Sequence, residues 1–162
     1  MSVQLRRVDD SFYRTAPIVF QASAELKAPV AQVWGLLEDL SWLPLLRFRW
    51  EGAPPHGPNS LRRLSVGKRF YAVEHCLHVV PNARLSFDMP EAAFPGLRAF
   101  AEDYRLEPTA SGTKVTWTVA IEPTGAGGRR LGFLSPLGRS VMWALIKFGF
   151  GFGILRRRAR RR

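Results

Sequence analysis

A chain of 162 residues, 46% hydrophobic and 12% aromatic, is long enough to fold as one domain around a sizeable core. Its formal charge of +11 belongs to one end: ten of the 24 basic residues lie from Arg129 onward with no acidic residue among them, leaving 14 basic against 13 acidic elsewhere. A nucleic-acid-binding domain spreads positive charge over its main surface, so nucleic acid is not expected as a partner.

Residues 1–17 read as an N-terminal extension, polar as far as Arg14 and without the apolar stretch of a secretory signal. Residues 18–155 read as the domain. From Ile18 to Leu26 the chain alternates, with Phe20, Ala22, Ala24 and Leu26 on the apolar face of a strand. Pro29 suits the first turn of a helix, where its missing N–H costs little. Val30, Val33, Trp34 and Leu37 recur there at helical spacing, and Asp39 and Pro44 bracket the exit.

Six further strands are predicted. Leu46, Phe48 and Trp50 alternate with charged residues, Gly52–Asn59 is a Pro/Gly-rich loop, and Leu61–Val66 is the next strand. Phe70–Val80 follows, with Tyr71, Val73, His75, Leu77 and Val79 expected on one face. Leu85, Phe87 and Met89 share a face after the Pro81-Asn82 turn. Two more alternations close the set, Phe100 to Leu106 and Val115 to Ile121. Gly125–Gly128 links to a final helix, predicted to start with Ser135 as N-cap and Pro136 at its first position. The lone Cys76 excludes an internal disulfide and suits a reducing, cytoplasmic setting.

An antiparallel sheet with one apolar face needs a cover, and the final helix is the available one. On Ala28-Pro29-x-x-x-Val33-Trp34, Asp39 before Trp42-x-Pro44, Val79-Val80-Pro81-Asn82-x-Arg84-Leu85, and Leu106-Glu107-Pro108 with Gly112-Thr113, the chain resembles the START-like (SRPBCC) superfamily. The likeness is to its polyketide cyclase/dehydrase and coenzyme Q-binding branch, over about Val19 to Phe152. It implies an α+β helix-grip fold: a curved antiparallel sheet wrapped around a long C-terminal helix, with a cavity between them.

By alternation the cavity-facing positions are Phe48, Trp50, Tyr71, His75, Phe87, Phe100, Glu102, Tyr104 and Trp117, joined by Met142 from the final helix. These side chains either fill the core or line a ligand site. His75 and Glu102 are polar groups on otherwise apolar faces, so each needs a partner. If they meet, Glu102 orients His75 as a general base, with Tyr71 or Tyr104 as proton donor. That set suits the enolisation and aldol cyclisation that the resemblance implies for cyclase members. If they do not, a noncatalytic binder of a lipid, quinone or polyketide, or an interaction module with a collapsed cavity, remains. No cofactor is expected. No metal site is expected either, because His75 and His78 fall on opposite strand faces and zinc needs three or four converging ligands.

The final helix is apolar nearly all round, from Leu131 to Phe148, and runs into Phe148-Gly149-Phe150-Gly151-Phe152-Gly153. That alternation is poor for helix, since each Gly costs about 1 kcal/mol relative to Ala. A helix from Ser140 to Leu155 covers only about 24 Å, too short to span a bilayer core of ~30 Å. Residues 156–162 form a polybasic tail. Arg156, Arg157, Arg158, Arg160, Arg161 and Arg162 beside those aromatics make an anionic membrane surface a candidate partner, with the chain peripheral on it; a solvated tail and nonspecific nucleic-acid contact through the same arginines are the alternatives.

Overall fold

The computed structural model describes residues 2–40, 42–43, 45–93, 95–125 and 135–159. The Gly125–Gly128 link, beyond its first residue, and Arg160–Arg162 lie outside them. Two short elements open the chain, β1 (Val3–Gln4) and α1 (Phe12–Thr15). Then come β2 (Ile18–Leu26), α2 (Val30–Asp39), β3 (Leu46–Glu51), β4 (Leu61–Val66), β5 (Arg69–Val80), β6 (Arg84–Ala92), β7 (Leu97–Thr109) and β8 (Gly112–Pro123). The C-terminal helix is continuous: α3 (Ser135–Ala144), a π-helical stretch (Leu145–Phe150) and α4 (Gly151–Ala159).

One antiparallel sheet runs in the order β2-β8-β7-β6-β5-β4-β3, so β3 to β8 form a meander and β2 joins at the β8 edge. This is the helix-grip architecture. Strand-pair register sets the faces: Tyr104 lies opposite Trp117 and Ala22 beside them, so their side chains share the concave side. The helix α2, with Pro29 at its N-cap, bridges the two sheet edges and buries Val33, Trp34, Leu36 and Leu37.

The N-terminal segment is integrated into the sheet. β6 and β7 pair only from Arg84 to Asp88, and the first residues enter the gap where they part. β1 pairs with Ala92 and Glu91, Leu5 N–H bonds the Pro90 carbonyl at 2.9 Å, and Arg6 N–H bonds the Arg98 carbonyl at 2.7 Å. Phe12 then packs on the convex face against Ala99, Ala101 and Ala120.

The glycines explain why a poor helix sequence is helical here. Met142, Ile146, Phe150 and Ile154 are the buried stripe of the C-terminal helix. A Cβ at Gly149 would lie 3.0 Å from the Trp42 ring, and one at Gly153 would lie 3.0 Å from Leu36. Close approach to Trp42 and Leu36 needs hydrogen at these positions. The stacking of Trp42 on Phe150, 4.3 Å between centroids, offsets the propensity loss.

Candidate functional site

Between the concave face and the C-terminal helix lies a cavity of about 410 Å³. The α2–β3 connection contributes Leu40, Trp42, Leu43, Leu45 and Leu46; β4 contributes Leu64 and Val66. From β5 to β8 come Tyr71, Glu74, Phe87, Met89, Glu102, Tyr104 and Trp117, and the helix adds Leu145. Leu45, Val66, Tyr71 and Leu145 are also exposed to solvent, which marks the mouth. An aromatic cluster forms the floor. Tyr104 stacks on Trp117 at 5.1 Å, and Trp42 meets Trp117 edge-on at 5.9 Å.

Two carboxyl groups, the buried Glu74 and the half-buried Glu102, break this apolar wall. Arg62 and Glu74 are cross-strand partners on β4 and β5, and Arg62 Nε donates to Glu74 Oε2 at 2.5 Å. The guanidinium lies over the rings of Phe48, Trp50 and Phe87 and donates from Nη1 to the Leu37 carbonyl at 3.3 Å. Burial raises the Glu74 carboxyl above its ordinary range, and Arg62 opposes that shift. Glu102 has no such cation. Its Oε2 accepts from the Tyr104 hydroxyl at 2.9 Å and from the Trp117 indole at 3.3 Å. Burial, then the charge of Glu74, pushes Glu102 up to about 8. Burial and Glu102 together hold the Tyr104 hydroxyl well above its ordinary value.

Of the residues expected to face the cavity, Tyr71, Phe87, Glu102, Tyr104 and Trp117 are on its wall. His75 is not. The extra residue Tyr71 in the β4–β5 pairing and another between Cys76 and His78 in the β5–β6 pairing shift the alternation, so that between them Glu74 faces inward with its partner Arg62 and His75 faces outward. There His75 Nδ1 bonds Asp88 at 2.9 Å, Nε2 bonds Asn59 at 3.2 Å, and Arg7 reaches the same ring. The expected His75–Glu102 pair therefore does not form, and the general base it would supply is absent from the cavity.

Phe48 and Trp50 line a separate groove of about 360 Å³ with Trp34, His56 and Arg62, because the Arg62 side chain stands between them and the cavity. Phe100 packs against the core from the margin, and Met142 is buried in the helix–sheet contact; neither is on the cavity wall. Reading the sequence by alternation also passed over Glu74, Arg62, Leu45, Val66 and Leu145. A single acid in the apolar run Tyr71-Ala72-Val73-Glu74 is the signal that marks Glu74. The cavity is open space, so the collapsed-cavity expectation does not match it.

The profile of the family described as polyketide cyclase/dehydrase and lipid transport matches residues 17–151. The chain belongs to that family. Among curated relatives, the uncharacterised protein Rv2574 of Mycobacterium tuberculosis is 28% identical over 136 residues, covering 81% of each chain. A solution structure from Thermobifida fusca is 27% identical with a TM-score of 0.57, over 75% of this chain and 84% of that one. Two further structures share the fold. Ara h 8.0201 has a TM-score of 0.60 at 10% identity over 85% of this chain and 97% of its own. TTHA0849 from Thermus thermophilus has 0.57 at 20% identity over the same shares. The family makes this a hydrophobic-ligand-binding fold, and the neighbours share its architecture. Among the described residues no helix is long and apolar enough to cross a membrane.

Proposed function

We propose that this chain binds a hydrophobic small molecule, a lipid, quinone or polyketide, in the cavity between sheet and helix, and takes it up at an anionic membrane surface as a peripheral cytoplasmic protein. The cavity itself carries the reading: an apolar chamber with two placed carboxyl groups and an apolar mouth suits a ligand that is mostly hydrocarbon. Burying such a ligand contributes about 25 cal/mol per Å².

The membrane part rests on the outer face of the C-terminal helix. Leu137, Val141, Leu145, Phe148, Phe152 and Leu155 form an exposed stripe, and Leu145 belongs both to it and to the cavity mouth. Arg156 lies over the Phe152 ring at 5.6 Å, which places a cation beside the apolar edge. Arg157 serves the fold instead, bonding Asp39 and donating to the Gly35 carbonyl at 2.8 Å. The other arginines of the tail each supply up to about 1 kcal/mol at an anionic surface.

Native mass spectrometry of the full chain, followed by organic extraction, tests the reading. One apolar molecule per chain is the expected result. Flotation on vesicles with and without 30–40% (roughly) phosphatidylglycerol tests the membrane half, since attraction to anionic lipid is screened by salt. Binding that ignores both lipid charge and salt would contradict it.

A further inference from the structure

Two polar groups beside the cavity have unused hydrogen-bonding capacity. Trp42 is on its wall, and its Nε1–H, sealed from solvent, makes no hydrogen bond. Glu102 is the second. Both donors that reach it, the Tyr104 hydroxyl and the Trp117 indole, fall on Oε2, and Oε1 has no hydrogen-bond partner among the described residues. Arg62 is the only buried basic side chain among the described residues; it gives its Nε to Glu74 and its Nη1 to the Leu37 carbonyl, its Nη2 makes no hydrogen bond, and it faces the separate groove rather than this cavity.

A proton on Oε2 would point at two donors. A proton on Oε1 meets none, so the neutral acid carries it there. We propose that Glu102 works as a neutral acid whose Oε1–H donates into the cavity, and that it selects apolar ligands bearing a carbonyl or comparable acceptor oxygen. This rests on the reading of the cavity as a ligand site. The groups around Glu102 fit it: Glu74 on β5 adds negative charge that disfavours a second carboxylate, while Arg62 on β4 opposes this and is neutralised by Glu74. Tyr104 on β7 and Tyr71 on β5 are both held protonated by burial. Leu145 from the helix and Trp42 from the α2–β3 connection bring no charge. The Glu102 carboxyl, pushed up to about 8 by burial and the charge of Glu74, is mostly neutral at pH 7.

The test compares 2-acetonaphthone with 2-ethylnaphthalene, two probes of one skeleton that differ by a carbonyl, titrated calorimetrically into the full chain at pH 6 and pH 9.5. The quantity read is the ratio of ketone to hydrocarbon affinity. For the native chain it falls about tenfold from pH 6 to pH 9.5, the worth of one lost hydrogen bond in a dry site. Glu102→Gln keeps a donor and flattens the pH dependence with the ratio still high. Glu102→Leu lowers the ratio about tenfold at pH 6. A ratio that is independent of pH in the native chain and unchanged in Glu102→Gln overturns the proposal while leaving the container standing, because the hydrocarbon still binds. If neither probe binds, both the container reading and this inference fall. Should Glu102→Leu not fold, the native and Glu102→Gln pH profiles decide alone.

Discussion

Glu74 and His75 are neighbours in the chain and stand on opposite faces of one sheet, and the two polar sites they build differ in completeness. On the convex side His75 meets Asp88, Asn59 and Arg7, and Asp88 also accepts from Arg7 Nε at 2.6 Å and Val8 N–H at 3.2 Å. Every strong group there has a partner, and the cluster pins the N-terminal segment to the sheet. On the concave side Arg62 and Glu74 neutralise each other, but Arg62 Nη2, Trp42 Nε1 and Glu102 Oε1 make no hydrogen bond among the described residues. A saturated cluster is structural; an unsaturated one beside a cavity is available to a ligand.

The largest test of this contrast removes Arg62. Arg62→Leu strands Glu74 in the core and should cost about 3–5 kcal/mol in urea denaturation, with Arg62→Leu/Glu74→Leu recovering most of it. Equal stability of the two variants would mean the pair is already hydrated.

Stability against pH comes next. The Glu102 carboxyl is raised from an ordinary 4.5 to about 8 by folding, so the folded state binds that proton more tightly than the unfolded chain. Its contribution is fully present below about 4.5 and is lost as pH rises through about 8, at about 1.4 kcal/mol per unit between them. Glu74 is raised as well and works in the same direction. Glu102→Gln should therefore flatten part of the decline in unfolding free energy between pH 5 and 9, without abolishing it; curves that superimpose would contradict the assignment.

Much of the scaffold was legible in the sequence. Strand alternation on β2, β7 and β8 placed Glu102, Tyr104 and Trp117 correctly, because those strands pair regularly near these residues. On β5 the same reasoning misplaced His75, since the two bulges that flank it, one against β4 and one against β6, depend on cross-strand pairing that a one-dimensional pattern does not carry. Phe48 and Trp50 do sit on the concave side, but Arg62, an ordinary strand arginine by sequence, shields them from the cavity. The Phe/Gly alternation looked hostile to helix until Trp42 and Leu36 supplied the reason for the small residues.

Smaller effects sharpen the convex side and the outer helix. Asp88→Ala should cost about 1–3 kcal/mol and speed amide exchange at Leu5 and Arg6, because Arg7 Nε and Val8 N–H lose their acceptor and His75 loses its contact at once. Phe148→Ser with Phe152→Ser should leave the unfolding midpoint almost unchanged, as expected for exposed positions, while reducing flotation on anionic vesicles. A large loss of stability there would assign the stripe to the core instead.

The five tryptophans offer the most direct measurement of where a ligand goes. Trp42 and Trp117 line the cavity, Trp34 and Trp50 line the separate groove, and Trp143 lies exposed on the helix. Titration of the full, nitrogen-15-labelled chain with 2-acetonaphthone, followed through the indole N–H signals, should move Trp42 and Trp117 together and leave Trp34, Trp50 and Trp143 in place. Movement of Trp34 and Trp50 with Trp42 and Trp117 unchanged would put the ligand in the groove and contradict the cavity as the binding site.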